Sequence, residues 1–321
     1  MFEQLGLIGC GLMGGSFALA VRRAGLVKRV VGYSKSPTTT QRALQLGVID
    51  AEAPSMLQAI SGADLVLVAV PVGITETVFQ SVKHLRMRDT LIMDVGSTKR
   101  DVADAARRAL GENAALFVPA HPIAGREVSG VDNADPDLYA GQQVILTPLE
   151  NTLPSHLQRA TQLWQAIGSR VTCMTPEAHD AALAAVSHFP HLAAFALMLS
   201  LVEQKEEAAF LDLAGPGFRD FTRIAAAEPH MWRDVLIANQ EQVRHQSRLF
   251  RKALVTLEHH MAQGRAHELL RLLGTASVAR ANWKPAGPTG NPPAQPAAPA
   301  TPDDESPHAR FSMSSFFGTG L

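Results

Sequence analysis

One histidine in this chain stands in a setting suited to proton transfer. His121 lies in Ala120-His121-Pro122-Ile123-Ala124-Gly125-Arg126-Glu127-Val128-Ser129-Gly130, directly after the apolar run at residues 115–118. An imidazole entering a Pro- and Gly-rich loop beyond a buried strand occupies the place where an open α/β sheet holds its reacting groups. Its ordinary pKa, about 6.5, suits a base at neutral pH. His121 is therefore expected to be a catalytic base.

A second constellation would bind rather than react. Gly9-Cys10-Gly11-Leu12-Met13-Gly14 follows the strand-like residues 4–8 and runs into the helical pattern at 16–23. G-x-G-x-x-G between a strand and a helix is a dinucleotide fingerprint. Gly9 permits the tight turn, Gly11 lets a pyrophosphate approach, and Gly14 allows the helix to pack closely, with its first amides and dipole facing the phosphates. A glycine-rich turn without a ligand is the bland alternative, and the flanking elements weaken it. Leu12 and Met13 in the turn, and Val70 and Pro71 at the end of the apolar run at 63–71, are expected to line the same cofactor. The next strand, at 29–33, ends in Ser34-Lys35-Ser36-Pro37, where an NAD-specific site would place Asp or Glu. Ser34 and Lys35 can instead hold a ribose 2′-phosphate, which favours NADP over NAD; the alternative is a solvated surface lysine.

Hydroxyls, imidazoles and guanidiniums elsewhere are candidate partners. Ser97 and Thr98 lie between the strand-like run at 90–95 and a helical pattern at 101–110. Local sequence reads them as helix caps, and their place beyond a central strand also makes them candidates to touch nicotinamide or substrate. Ser187-His188-Phe189-Pro190-His191 interrupts a helical stretch at 177–203, where the proline should kink the helix and free a carbonyl near both imidazoles. With no H-E-x-x-H and no third ligand nearby, a bent helix with one His lining a cleft is preferred over a metal site. Arg219 and Arg223 are four apart and can present guanidiniums to an anion, against the simpler reading of a surface pair with Asp220.

These groups need a scaffold. The continuous apolar runs at 63–71 and 90–95 read as central parallel strands, and 142–147 and 170–173 complete the strand set, with helices at 76–83, 101–110 and 155–167. After Met174 only helical patterns follow, as far as residue 283. The expected fold class is α/β, a Rossmann-type doubly wound, mostly parallel sheet followed by an all-α domain. Residues 1–174 would bind the dinucleotide and 175–284 would form a helical substrate and dimerisation domain. Residues 285–321, rich in Pro and Ala with the acidic run Asp303-Asp304-Glu305, would be a disordered tail.

Composition narrows the function classes. A chain of 321 residues, 46% hydrophobic and 18% charged, can bury a sizeable core and has room for two domains. A net charge of -1 gives no basic surplus for nucleic acid. Two cysteines, Cys10 and Cys173, are too few for a disulfide framework and fit a reducing cytoplasm. No leader pattern is visible and no apolar run reads as long enough to cross a bilayer, so no membrane association is expected.

Four motifs occur in a telling order: Gly9-x-Gly11-x-x-Gly14-Gly15-Ser16, then His121-Pro122-Ile123-Ala124-Gly125, then Ser187-His188-Phe189-Pro190-His191, then Gly217-Phe218-Arg219-Asp220-Phe221-Thr222-Arg223-Ile224-Ala225. Together they resemble the prephenate and arogenate dehydrogenases of tyrosine biosynthesis, the TyrA family, over roughly residues 1–283. The form is expected to be monofunctional, with no chorismate-mutase segment ahead of the first strand and too short a remainder for an ACT domain. The resemblance implies oxidative decarboxylation of prephenate with NAD(P)+ to 4-hydroxyphenylpyruvate, or of arogenate to tyrosine, in a homodimer. It also implies residue roles. His121 would take the proton of the ring C4 hydroxyl as hydride leaves, and Ser97 would bond the same hydroxyl. Arg223 would bind a carboxylate, and His191, with His188 beside it, would line the substrate channel, with Glu127 and Asp220 near its entrance. Arg126 departs from the family pattern, where Thr or Ser is commoner. An extra cation there would disfavour arogenate's ammonium and tilt selectivity toward prephenate.

Two other readings stay open at this level. A β-hydroxyacid dehydrogenase would use a lysine base on the first long helix of its second domain, where this chain has His188 and His191. A non-enzymatic NADP-sensing module would keep the glycine turn and need none of His121, Ser97 or Arg223.

Overall fold

A computed structural model of the chain describes residues 1–83, 89–125 and 128–284. The expected tail at 285–321, and Arg126 and Glu127, lie outside the described residues.

Six strands, β1 (Phe2–Ile8), β2 (Val27–Tyr33), β3 (Ala51–Glu52), β4 (Leu65–Val68), β5 (Leu91–Asp94) and β6 (Phe117–Val118), form a parallel sheet in the order β3-β2-β1-β4-β5-β6. This is the doubly wound order, and the strand direction of winding reverses between β1 and β4, which is where such sheets open a crevice. Helices α1 (Leu12–Arg23), α2 (Pro37–Gln45), α3 (Met56–Ile60), α4 (Thr75–Val82), α5 (Arg100–Ala109) and α6 (Pro154–Ala166) cover it. The continuous apolar runs are explained by burial on both faces. Leu65, Leu67, Leu91 and Met93 join one core cluster, whereas Val66, Val68 and Ile92, their neighbours in sequence, join the other.

The expectation that 142–147 and 170–173 complete the main sheet is corrected. β7 (Ala120–Ile123), β8 (Gln143–Leu146) and β9 (Arg170–Cys173) form a separate sheet in the order β7-β8-β9, with β7 antiparallel to β8. His121 is therefore a strand residue, opposite Ile145, and not part of a loop. Pro122 hid the strand. A proline cannot donate to a ladder, but β7 is an edge, where a missing donor is tolerated.

The remaining helices are α7 (Pro176–Leu183), α8 (Phe189–Val202), α9 (Glu207–Asp212), α10 (Pro216–Thr222), α11 (Pro229–Ala238), α12 (Gln240–Ala262) and α13 (Ala266–Asn282). The irregularity expected inside 177–203 is a π-helical turn, Ala184–His188, between α7 and α8. Pro190 follows that turn directly, inside a helix continuous from Pro176 to Val202, and the π-turn is where the helix accommodates the backbone donor that proline lacks. The stretch Pro176–Val202 is 27 residues long; its most apolar 18 residues have a mean hydropathy of 1.6, and 22% of them are buried. By length and composition it could cross a membrane, which corrects the sequence reading that no run was long enough.

Candidate active site

The glycine turn lies at the crevice end of β1. Gly9 adopts φ 96°, and a Cβ there would stand 2.1 Å from the Ala69 carbonyl oxygen just past β4. A Cβ at Gly14 would stand 2.0 Å from the Gly9 oxygen, so only glycine lets α1 close onto the turn. At Gly11 a Cβ would meet nothing within 4 Å, which leaves open space at the N-terminus of α1, where a pyrophosphate would approach. The residues present thus fit a dinucleotide. Val70 borders the turn, its Cγ1 3.4 Å from the Cβ position of Gly9. Leu12 is buried in the core, and the Met13 carbonyl accepts the Tyr139 hydroxyl at 2.7 Å.

At the end of β2 the Ser34 hydroxyl accepts the Cys10 N–H at 2.9 Å, holding the glycine turn against β2. Ser34, Lys35, Thr40 and Glu52 line a cavity of about 360 Å³. Glu52, at the end of β3, sets a carboxylate in the same cavity as Lys35, and sequence reading overlooked it.

His121 is 9% exposed, and a network beneath it fixes its strand. Asp94, ending β5, accepts the Ala120 N–H at 3.0 Å through Oδ1, and through Oδ2 the Gly96 N–H at 2.8 Å and Lys99 Nζ at 2.5 Å. One carboxylate therefore pins both the start of β7 and the bend that carries Ser97. From the other side, His121 Nδ1 lies 2.8 Å from His179 Nε2, and His179 Nδ1 lies 2.8 Å from Asp180 Oδ1. The start of α7 aims this pair: the Thr175 hydroxyl accepts the Ala178 N–H at 3.2 Å, followed by Pro176 at the first turn. Asp180 also accepts the N–H groups of Lys99 and Arg100, at 2.9 and 3.0 Å. The cap of α5 thus comes from α7 across the chain, and not from Ser97 or Thr98 as the local sequence suggested. Burial drives the His121 pKa well below its ordinary value, reinforced by His179, Lys99 and His188.

His188 joins the same cluster from the π-turn. Asn239 donates through Nδ2 to the Asp180 carbonyl at 2.8 Å and to His188 Nδ1 at 3.1 Å. Burial pushes His188 down to about 4, against the opposing pull of Asp180; His179 adds to the lowering and the Ser97 backbone resists it. His191 donates from Nδ1 to the Ser187 carbonyl at 3.0 Å, and its ring stacks on Trp232, 3.6 Å between centroids at 20°. Trp232 is carried by α11, which packs against the 3₁₀ turn Val72–Ile74, next after Val70 and Pro71. Arg219, on α10, and Arg223, opening the 3₁₀ turn Arg223–Ala226, line a cavity of about 490 Å³ with Gly215, Phe218 and Thr222. Both elements pack against α8, the helix of His191.

The structure thus gathers Ser97, His121 and His188 around one buried network and reaches His191 through the helical bend, whereas Arg219 and Arg223 line a cavity to which none of these four residues contributes. The network residues themselves, Asp94, Lys99, His179, Asp180 and Asn239, were missed from sequence. The available signal was faint: Asp94 ends an apolar strand, and His179-Asp180 is a polar pair inside an Ala-rich helix.

Comparison with known proteins gives a consistent picture. The sequence profile described as "Prephenate dehydrogenase, nucleotide-binding domain" matches residues 17–173, and "Prephenate dehydrogenase, dimerization domain" matches 175–275. A prephenate dehydrogenase of Bacillus subtilis is 35% identical over 282 residues, 86% of this chain and 75% of that protein. A cyclohexadienyl dehydrogenase of Zymomonas mobilis is 34% identical over 241 residues, 74% of this chain and 82% of that one. Among solved structures, prephenate dehydrogenase from A. aeolicus, crystallised with hydroxyphenyl propionate and NAD+, matches at TM-score 0.81 with 35% identity, covering 88% of this chain and 98% of the other. Synechocystis arogenate dehydrogenase matches at TM-score 0.74 with 26% identity, covering 87% and 99%.

Proposed function

Because this chain belongs to the prephenate dehydrogenase family, we propose that it oxidises and decarboxylates prephenate to 4-hydroxyphenylpyruvate with NAD(P)+. The observation that carries the reading is His121, held on β7 beside the Ser97 bend at the end of β5, two strands from the glycine turn.

The bound nicotinamide supplies the hydride acceptor. His121, kept neutral by burial, accepts the proton of the ring C4 hydroxyl as that carbon becomes a carbonyl. Ser97 bonds the same hydroxyl and orients it. Arg223 grips a substrate carboxylate, where a bidentate contact is the strongest available to it. His191, braced by Trp232, and His188 line the channel. Aromatisation drives the loss of carbon dioxide, so the protein has mainly to hold a dianion in place.

NADP+ is the favoured cofactor, supported by Ser34 and Lys35 at the end of β2. Residues 1–174 are the dinucleotide half and 175–284 the substrate half, which a second copy would cover along Leu197, Leu199, Val202, Leu249, Leu254 and Val255, all exposed. The dimerization-domain match supports that partner, which also accounts for the apolar face of Pro176–Val202 without a bilayer. The enzyme would act in the cytoplasm, as a biosynthetic dehydrogenase drawing on the cytoplasmic nicotinamide pool.

The test is the absorbance of reduced nicotinamide formed from prephenate or arogenate, each with NAD+ and with NADP+. The largest kcat/KM is expected for prephenate with NADP+. Arogenate is the second substrate to consider, given the likeness to arogenate and cyclohexadienyl dehydrogenases. No turnover of either substrate sinks the reading.

A further inference from the structure

We infer that the base of this site is a three-residue relay, Asp180–His179–His121, in which His179 fixes the tautomer of His121 and receives its inner proton when His121 takes one from the substrate. The substrate step rests on the function proposed above; the tautomer does not.

The argument is a count of donors and acceptors. Asp180 accepts backbone N–H groups on both oxygens, from Lys99 at 2.9 Å and from Arg100 at 3.0 Å, so it acts as a carboxylate. The proton in its 2.8 Å contact with His179 therefore sits on His179 Nδ1. A neutral His179 then has a bare Nε2, which can only accept. The 2.8 Å contact with His121 must accordingly carry the proton of His121 Nδ1. His121 Nε2 is left bare, and it is the atom that can take a proton. Hydrogen positions follow here from this chain of obligations, anchored at a single carboxylate.

Burial and charge give the relay a direction. His179 is 0% exposed and Asp180 1%, while His121 reaches 9%, so the line meets solvent at its His121 end. The charged and titratable groups facing the two rings are Lys99 and Asp94 from the β5–α5 side, Asp180 on α7, and His188 in the π-turn. Lys99 and Asp94 are paired with each other, which leaves Asp180 as the carboxylate in direct contact with a charged His179. In the step, the substrate O–H breaks and an N–H forms at His121 Nε2. The His121 Nδ1–H breaks and an N–H forms at His179 Nε2. His121 ends neutral, and the positive charge rests on His179 against Asp180. His179 is thus a positioning residue that acts through His121.

The test uses His179→Gln, whose amide can still accept the His121 Nδ1–H and takes up no proton. Single-turnover rates should fall by roughly 10²-fold, with KM for substrate and Kd for cofactor within about twofold of the unmodified enzyme. In the unmodified enzyme the single-turnover rate should curve with deuterium fraction, as two protons move together; in the variant it should be linear. Unchanged rates in the variant, or a linear dependence in the unmodified enzyme, overturn the relay. Long-range ¹H–¹⁵N spectra of the unmodified, histidine-labelled protein should show neutral His121 protonated at Nδ1, and a proton at Nε2 overturns the tautomer assignment. That measurement needs neither turnover nor a folded variant. An inactive protein with the expected tautomer would therefore fail the proposed function alone.

Discussion

Lys99 Nζ lies 2.5 Å from Asp94 Oδ2 with both side chains sealed from solvent, directly beneath the Ser97 bend and the start of β7. Removing one member of a buried pair leaves the other charge uncompensated, which costs about 3–5 kcal/mol. Lys99→Met should lower the urea unfolding free energy by that amount. It should also remove a positive charge that lowers the His121 pKa, so the acid limb of the kcat/KM profile should move to higher pH. An unmoved limb in the folded variant would show that Lys99 only braces the strand.

His121→Asn removes the base while leaving a residue that fits an edge strand. The expected loss in kcat is about 10²–10⁴-fold, the usual contribution of a positioned general base. Cofactor affinity, measured by titration with reduced nicotinamide, should survive, since the glycine turn and the Ser34 bond to Cys10 are untouched. Turnover close to that of the unmodified enzyme would exclude His121 from the chemistry.

Arg223→Gln should act on substrate binding. A charge-assisted hydrogen bond is worth about 1.5–3 kcal/mol, so KM for prephenate should rise roughly 10- to 100-fold with kcat little changed. If KM is unaltered, Arg223 serves the packing of its 3₁₀ turn against α8 and not the substrate.

Lys35 and Glu52 share the cavity at the ends of β2 and β3 and should pull cofactor choice in opposite directions. Lys35→Gln should raise KM for NADP+ by about tenfold and leave NAD+ nearly unaffected, because only the 2′-phosphate meets the lost ammonium. Glu52→Gln should improve NADP+ relative to NAD+. Equal effects of Lys35→Gln on both cofactors would show that Lys35 does not read the phosphate.

The sequence was most informative where a local rule governs a local shape. The glycine fingerprint is one such case: Gly9 and Gly14 are dictated by backbone contacts within one turn, so their spacing alone reveals the site. The continuous runs of β4 and β5 are another, because burial on both faces leaves no polar alternation to interpret. Long-range pairing is different. Pro122 reads as a loop until β8 is known to lie beside it, and Asp180 caps a helix some eighty residues away, which no window around α5 can reveal. His179 was hidden for the same reason, since its meaning depends on His121 across the fold.

Histidines buried in neutral form also tie stability to pH. Burial holds His188 near 4 in the folded chain, against 6.5 for the free side chain, so between those values the unfolded chain binds more protons. The stabilisation is complete above about pH 6.5 and is lost as pH falls toward 4, by about 3 kcal/mol at about 1.4 kcal/mol per pH unit. His121 and His179 are lowered mainly by burial as well and should steepen the same decline. The urea midpoint should therefore fall steadily through this window. His188→Gln keeps an acceptor for Asn239 and cannot titrate, so its stability should begin lower and decline less steeply. A decline as steep as that of the unmodified protein would mean that His188 does not contribute to the acid response.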